Sequence, residues 1–361
     1  MLDSQPLTVR NPMEPVTGND PHAPLSKVAA AWLLAAANPV RAGAMPDSQL
    51  SEPEIGSVLH AAELHGVLSA VLRALRGPDA AIGTVESGQI AAIADARTRY
   101  TYQVGFQLLL THHGERILAA LHAAGSKAAI VKGPIFAQRL YAEPAMRSFT
   151  DIDILIPFAA RDLASDILRG SGFKFIAREY RAGKDYCEDN WQLMADPRVG
   201  IEIHSNLVHN PNLRRTASIT LGQVADAGNG STNDATALLF VATAHGAISH
   251  QFDRLQHLVD VALAANGAAG TIDVERLSRV ARTSGVLTAV HAALVLTGNA
   301  FSNACCLAMA SALTPSILNK AASSLVTTHS VLAAQSRRRR RSSWRRKALR
   351  QAIRAEGFMP P

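Results

Sequence analysis

Two aspartates, Asp151 and Asp153, stand two residues apart in the apolar segment TDIDILI of residues 150–156. The alternation predicts a strand over residues 151–156. Alternate side chains of a strand share a face, so both carboxylates point one way and the isoleucines the other. Two neighbouring carboxylates in a buried site raise each other's pKa unless a cation lies between them. Magnesium, a hard ion that prefers oxygen ligands, is the natural candidate.

Lys132 and Gly133 form a candidate anion contact upstream of the aspartates. They interrupt the apolar run of residues 128–131, which predicts a buried strand, and they precede Pro134, which suits the first turn of a helix. Glycine lets the backbone approach a phosphate closely, and a helix N-terminus favours an anion. An ordinary strand-to-helix turn explains the same residues equally well.

Two further sites carry charged side chains. Residues 201–204 read IEIH, so Glu202 and His204 share one face of a predicted strand. Arg147 precedes Asp151 by four residues. Its guanidinium would either bind a phosphate through two hydrogen bonds or pair with the two aspartates.

The order of these motifs resembles the uncharacterised nucleotidyltransferase family, which is related to the minimal nucleotidyltransferases. The motifs are a hydrophobic strand, KG, a helix, LY, P-x-x-R and DIDILI, and the resemblance covers roughly residues 52–301. In that superfamily a small residue pair opens a helix toward the nucleotide phosphates, the next strand carries D-x-D, and a later strand supplies a third acid. Here Lys132-Gly133 stands where the wider superfamily has Gly-Gly or Gly-Ser.

The resemblance implies a Mg²⁺-dependent enzyme that moves a nucleoside monophosphate from an NTP, ATP included, to an acceptor hydroxyl or phosphate. Mn²⁺ is an alternative ion, and the acceptor is a small molecule or a macromolecule. The residues it implies are the catalytic and metal-binding acids Asp151, Asp153 and Glu202 and the nucleotide-binding residues Lys132, Gly133 and Arg147. His204 and His245 are candidate supporting histidines.

The two supporting histidines have alternative roles. His204 would contact the metal or the acceptor, or stand behind the acid beside it. His245 resembles, with Arg254 and Asp260, a recurring H…R…D series in the family's helical second half. It would pair with Asp260 between two helices, or line the acceptor pocket.

The composition favours helices around a small sheet, since 48% of residues are hydrophobic and only 5% are aromatic. The expected class is α/β, more narrowly α+β: a small mixed nucleotidyltransferase-type sheet flanked by N-terminal helices and a C-terminal helical bundle. Helices are predicted over 26–37, 52–76 with a break at 65–67, 84–124, 159–169, 235–265 and 273–296, strands over 128–131, 151–156, 173–176, 186–194 and 201–204, and irregular chain over 207–233. The expected divisions are a disordered tail 1–25, a helical segment 26–125, a catalytic core 126–206, a helical region 207–334 and a basic tail 335–361.

A cytoplasmic location is expected. The three cysteines show no metal-binding spacing, which suits a reducing compartment. The polar, proline-rich N-terminus has no apolar leader segment. The longest apolar stretch, residues 286–301, contains His291 and reads as a core helix, so no transmembrane segment is predicted.

Much of the net charge of +7 comes from the arginine-rich stretch between Arg337 and Lys347. A solvated tail, in weak contact with RNA or anionic lipid, is the expectation, and truncation after Ala334 should leave fold and chemistry intact. Two other functions are consistent with the sequence. One is a catalytically silent nucleotide-binding or scaffold protein on the same fold, and the other is an RNA-binding protein that acts through this tail.

Overall fold

A mixed β-sheet stands at the centre of the chain. The structure is a computed structural model, and it describes residues 24–40, 45–75, 87–178, 185–333 and 343–356. Within these residues the strands are β1 (Ala129–Ile130), β2 (Ile152–Leu155), β3 (Phe173–Arg178), β4 (Glu188–Leu193) and β5 (Gly200–His204). They pair in the order β1-β2-β5-β4-β3, with β2 and β5 parallel and the other neighbours antiparallel.

The helices of the described residues surround this sheet. They are α1 (Lys27–Ala37), α2 (Glu52–Leu64), α3 (Leu68–Ala74), α4 (Ser87–Ala123), α5 (Pro134–Leu140), α6 (Arg161–Gly170), α7 (Leu221–Ala227), α8 (Ala235–His245), α9 (Leu255–Ala265), α10 (Val274–Thr283), α11 (Leu287–Phe301), α12 (Ala304–Ala312), α13 (Ile317–Ser323), α14 (Thr328–Leu332) and α15 (Trp344–Glu356). A π-helical turn, Gly246–His250, follows α8. None of these helices is long and apolar enough to cross a membrane.

Alternation along the strands sends their side chains to two different cores. The isoleucines of β2 and β5 pack in one hydrophobic cluster with Leu110, Ile117 and Leu121 of α4. Gly114 allows this close approach, since a Cβ there would meet the Ile152 side chain at 2.9 Å. Leu155 belongs to a second, larger cluster that contains the N-terminal and C-terminal helices. The face that carries Asp153 therefore looks toward the C-terminal helices.

The predicted class is confirmed: the described chain is mixed α+β, with one mixed sheet among many helices. Two local predictions were wrong. The helix expected over 235–265 is two helices separated by the π-helical turn and an irregular turn. The segment 207–233, expected to be irregular, contains α7, which begins with a capping box between Thr220 and Gln223.

The basic tail expected over 335–361 is wrong for its described part. There α15 packs against α11 and α13, with Leu349 and Ile353 buried. Arg346 is also buried, and its guanidinium donates hydrogen bonds to the carbonyls of Gln251, Phe252 and Ser330. Backbone carbonyls thus supply the hydrogen-bond acceptors for this buried guanidinium. The run Arg337–Arg341 and residues 1–23 lie outside the described residues.

Candidate active site

The parallel pairing of β2 with β5 brings the predicted acids together. Asp153 and Glu202 are direct partners in the register, so their side chains leave the sheet side by side on one face. His204 follows two residues later on the same face. Its Nε2 lies 3.1 Å from Asp153 Oδ1 and 3.3 Å from Glu202 Oε2.

Lys132 supplies a positive charge at the same place. Its Nζ lies 2.9 Å from Asp153 Oδ1 and donates to His245 Nε2 at 3.0 Å. The predicted pairing of His245 with Asp260 is therefore wrong. Burial, and then the charge of Lys132, lower the pKa of His245 well below its usual value, so the ring is a neutral acceptor.

The charges within the cluster are strongly coupled. Burial opposes ionisation of Asp153, but Lys132 and His204 outweigh it and hold its pKa well below the usual range. Burial likewise opposes a charge on His204, yet its hydrogen bonds to Asp153 and Glu202 raise its pKa to about 9. Asp151, immediately before β2, has its pKa raised to about 6 by burial and by the charge of Asp153. The negative charge of Asp151 is thus less compensated than that of Asp153.

Gly133 has a backbone conformation that suits glycine, with φ +47°. It caps α5, which has only seven residues and begins with Pro134. Proline has no N–H, and so short a helix gives little support to the anion site predicted at its N-terminus. Lys132 is the part of this motif that carries charge into the site.

Arg147 has a partner that the sequence reasoning did not foresee. Its Nε and Nη2 each donate to a different oxygen of Asp260, on α9, at 2.9 Å, and Nη1 donates to the Gly133 carbonyl at 3.3 Å. Tyr141 donates to the same Asp260 carboxylate, and Gln107 donates to the Arg147 carbonyl. These contacts favour a positioning role for Arg147. The sequence had predicted that it would bind a phosphate or pair with Asp151 and Asp153.

A row of imidazoles runs from the acids into the C-terminal helices. Successive ring centroids are 5.4, 5.7, 4.8 and 4.5 Å apart along the row His204, His209, His245, His250 and His257. Sequence reasoning missed His209, His250 and His257, because they lie in or next to turns, where no periodicity predicts which side chains converge.

The acids of the cluster fit a divalent cation. Ligand atoms of Asp153, Glu202 and His204 all lie within 4.8 Å of one another. Carboxylate oxygens are the ligands that Mg²⁺ prefers. Burial and the charge of Asp153 raise the pKa of Asp151, and a bound cation would favour its ionised form. The hydrogen bonds of His204 to both carboxylates favour its protonated form, which cannot bind a metal through Nε2, so the acids are the fitting ligands.

A family comparison agrees with this arrangement. The model of a family described as "Uncharacterised nucleotidyltransferase" matches residues 51–302. No curated protein and no solved structure matches the chain. The match covers more than half of the sequence and agrees with the range 52–301 over which the resemblance was seen. The chain therefore belongs to this uncharacterised nucleotidyltransferase family.

Proposed function

We propose that this member of the uncharacterised nucleotidyltransferase family is a Mg²⁺-dependent enzyme that transfers a nucleoside monophosphate from an NTP to an acceptor hydroxyl or phosphate. The observation that carries the proposal is the register of β2 and β5, which sets Asp153 beside Glu202 on one face. A cytoplasmic location, where NTPs are available, fits this chemistry and stays a prediction.

Asp151, Asp153 and Glu202 are the residues that would hold the metal, and Mn²⁺ would suit the same oxygens. A bound divalent ion supplies charge neutralisation on the triphosphate and activation of the acceptor oxygen. Phosphoryl and nucleotidyl transfer need mainly positioning and electrostatic stabilisation from the protein, so acids held by a rigid sheet meet the main requirement.

The remaining side chains position these acids and bind the substrate. The Lys132 side chain is 16% exposed and its ammonium suits the anionic triphosphate, while neutral His245 orients the ammonium by accepting a hydrogen bond from it. His204 keeps its proton and holds the carboxylates of Asp153 and Glu202 close together. Arg147 ties the Gly133 loop to α9 and so fixes the backbone that carries Lys132.

Conservative substitution of the acids tests the proposal. Asp153→Asn and Glu202→Gln should each weaken joint binding of Mg²⁺ and a non-hydrolysable NTP, because each removes a negative ligand without changing shape. Transfer should fall by about a hundredfold or more. Calorimetry measures binding, and mass spectrometry of metabolite extracts incubated with each NTP measures nucleotidylated product.

Asp166→Asn is the matched control, since Asp166 is an exposed residue of α6 whose partner is Arg169. It should leave binding and transfer unchanged. Metal removal by a chelator should abolish transfer in the unaltered protein, and added Mg²⁺ should restore it. Full Mg²⁺–NTP binding by Asp153→Asn would show that Asp153 is not a metal ligand, and would contradict the proposed catalytic site.

The ion pair of Lys132 with Asp153 favours a second candidate, a catalytically silent nucleotide-binding protein on the same fold. An ammonium 2.9 Å from Asp153 Oδ1 already neutralises that carboxylate without a metal. In this case the protein would bind NTP, the Asp153→Asn variant would lose little affinity, and no acceptor would yield a nucleotidylated product. The same two measurements therefore separate the candidates.

A further inference from the structure

The chain between α8 and α9 brings three ligand-type side chains together, away from the paired acids of β2 and β5. Asp253 Oδ1 lies 3.0 Å from His257 Nε2 and 3.8 Å from His250 Nδ1. All three ligand atoms lie within 4.8 Å of one another. The ligand atoms of a tetrahedral zinc ion, at about 2.0–2.2 Å from the metal, stand roughly 3–3.5 Å apart, so only small side-chain shifts separate this cluster from a coordination shell.

An unusual backbone produces this convergence. Gln251 and Phe252 are consecutive residues with φ of +53° and +54°, in the left-handed region that side-chain-bearing residues rarely adopt. They lie between His250 and Asp253 and turn the chain so that both side chains face His257. Strain of this kind persists where the surrounding structure enforces it, and it concentrates at functional sites.

The surroundings hold this turn firmly. Phe252 is fully buried, and Arg346 of α15 donates to the carbonyls of Gln251 at 2.9 Å and Phe252 at 3.4 Å. The three ligand side chains are still reachable from solvent, because His250 is 36% exposed, His257 15% and Asp253 9%. The site is thus both preorganised and open to an entering ion.

We propose that His250, Asp253 and His257 form a second metal site, which binds a divalent transition-metal ion of the zinc type. Two imidazoles and one carboxylate are a donor set that suits zinc and its neighbours better than Mg²⁺, which prefers oxygen alone. The proposal does not depend on nucleotide transfer.

A bound ion would also fix the neighbouring histidine row. The centroids of the His245 and His250 rings lie 4.8 Å apart, and the His245 ring accepts the hydrogen bond from Lys132. A metal ion that links the α8–α9 turn to α9 would therefore hold His245, and through it Lys132, in one orientation.

Zn²⁺ binding to full-length, chelator-stripped protein tests the site, by competition with a chromogenic chelator. Visible absorption of the Co²⁺-substituted protein provides a second readout, which reports the ligand field. His257→Ala and His250→Ala should each lower Zn²⁺ affinity by about tenfold or more and reduce the number of bound ions by one. Zn²⁺ should raise the melting temperature of the unaltered protein and leave that of His257→Ala nearly unchanged.

Two variants make the test specific. His112→Ala removes an exposed histidine of α4 and should change nothing. His204→Gln removes the imidazole that lies beside Asp153 and Glu202 and should leave the affinity of the His250 site intact. The melting temperature of each metal-free variant shows whether it folds. Unchanged Zn²⁺ binding in a folded His257→Ala, or loss of all binding in His204→Gln, would overturn the proposal.

Discussion

The two aspartates of the D-x-D strand have opposite electrostatic surroundings. Asp153 is paired with Lys132 and His204, which hold its pKa low, whereas burial and the charge of Asp153 raise the pKa of Asp151 to about 6. The sequence predicted that a cation would separate the two carboxylates. A lysine supplies part of that charge, and Asp151 retains the charge that an added divalent ion would compensate.

The buried pair of Arg147 and Asp260 gives a residue-scale prediction of stability. Asp260→Asn should lower the free energy of unfolding by about 3–5 kcal/mol, because it leaves a buried guanidinium without its negative partner. Urea denaturation measures the loss. The double variant Arg147→Met, Asp260→Leu removes both charges and should recover most of it. A double variant no more stable than Asp260→Asn would contradict this account.

The residues that sequence reasoning identified best are those on strands. Alternation placed Glu202 and His204 on one face, and the register confirms that Glu202 lies beside Asp153. Alternation in the sequence could not identify Asp260 as the partner of Arg147, because that contact joins residues 113 positions apart in the chain. Nor could it place His250 and His257, since a turn held by tertiary contacts decides where they point.

The same limit applies to whole elements. Strands and long helices follow from local periodicity, and α4 was predicted nearly to its ends. The break between α8 and α9 was missed because Gln251 and Phe252, not glycine or proline, form the turn. Its conformation depends on Arg346, which comes from a helix almost a hundred residues later, and no local pattern reports such a contact.

The turn between α2 and α3 is hydrogen-bonded to the first residues of α9, which gives a prediction at the scale of elements. The His65 carbonyl accepts from Gln256 N at 3.1 Å, and the His65 ring accepts through Nδ1 from Leu255 N at 3.4 Å. Burial lowers the pKa of His65 to about 4 from its usual 6.5. The ionisable groups that act on the ring are Asp253, Arg254 and His257.

The folded state therefore favours the neutral ring, so the stability it contributes is present above about pH 6.5 and falls as the pH drops toward 4. The contribution of His65 amounts to at most about 3.5 kcal/mol, at about 1.4 kcal/mol for each pKa unit. Urea denaturation between pH 7.5 and pH 4.5 measures this slope. In His65→Gln the slope should be smaller, while His245 and His250, whose pKa values are also lowered, preserve part of it. An identical slope in both proteins would show that His65 does not titrate in this range.

At the scale of the molecule, the candidate active site lies between the sheet and the C-terminal helices. Lys132 is hydrogen-bonded to His245 of α8, and Arg147 is hydrogen-bonded to Asp260 of α9. The helix α15 lies beyond the 51–302 range of the family match, yet it supports the turn between α8 and α9. The match to the family therefore does not mark the boundary of the folded unit.

Removal of residues 335–361 should destabilise the protein, contrary to the expectation of a dispensable tail. It would expose the surface covered by Leu349 and Ile353, each worth about 1.5–3 kcal/mol when fully buried. It would also remove the Arg346 hydrogen bonds to the α8–α9 turn and the bond that Glu356 accepts from Thr288 N at 2.8 Å. A chain that ends at Glu356 is the control for length.

Arg346→Ala and Lys347→Ala separate the effect of packing from that of charge, because both remove one positive charge from adjacent positions of α15. Arg346 is buried against three carbonyls, so its loss should cost about 1–3 kcal/mol and lower the melting temperature. Lys347 is exposed, and its loss should have little effect. Because the turn that Arg346 holds carries His250 and Asp253, Arg346→Ala should also weaken Zn²⁺ binding. Equal melting temperatures for the two variants, together with an undiminished melting temperature after truncation, would restore the view that this segment is a separate tail.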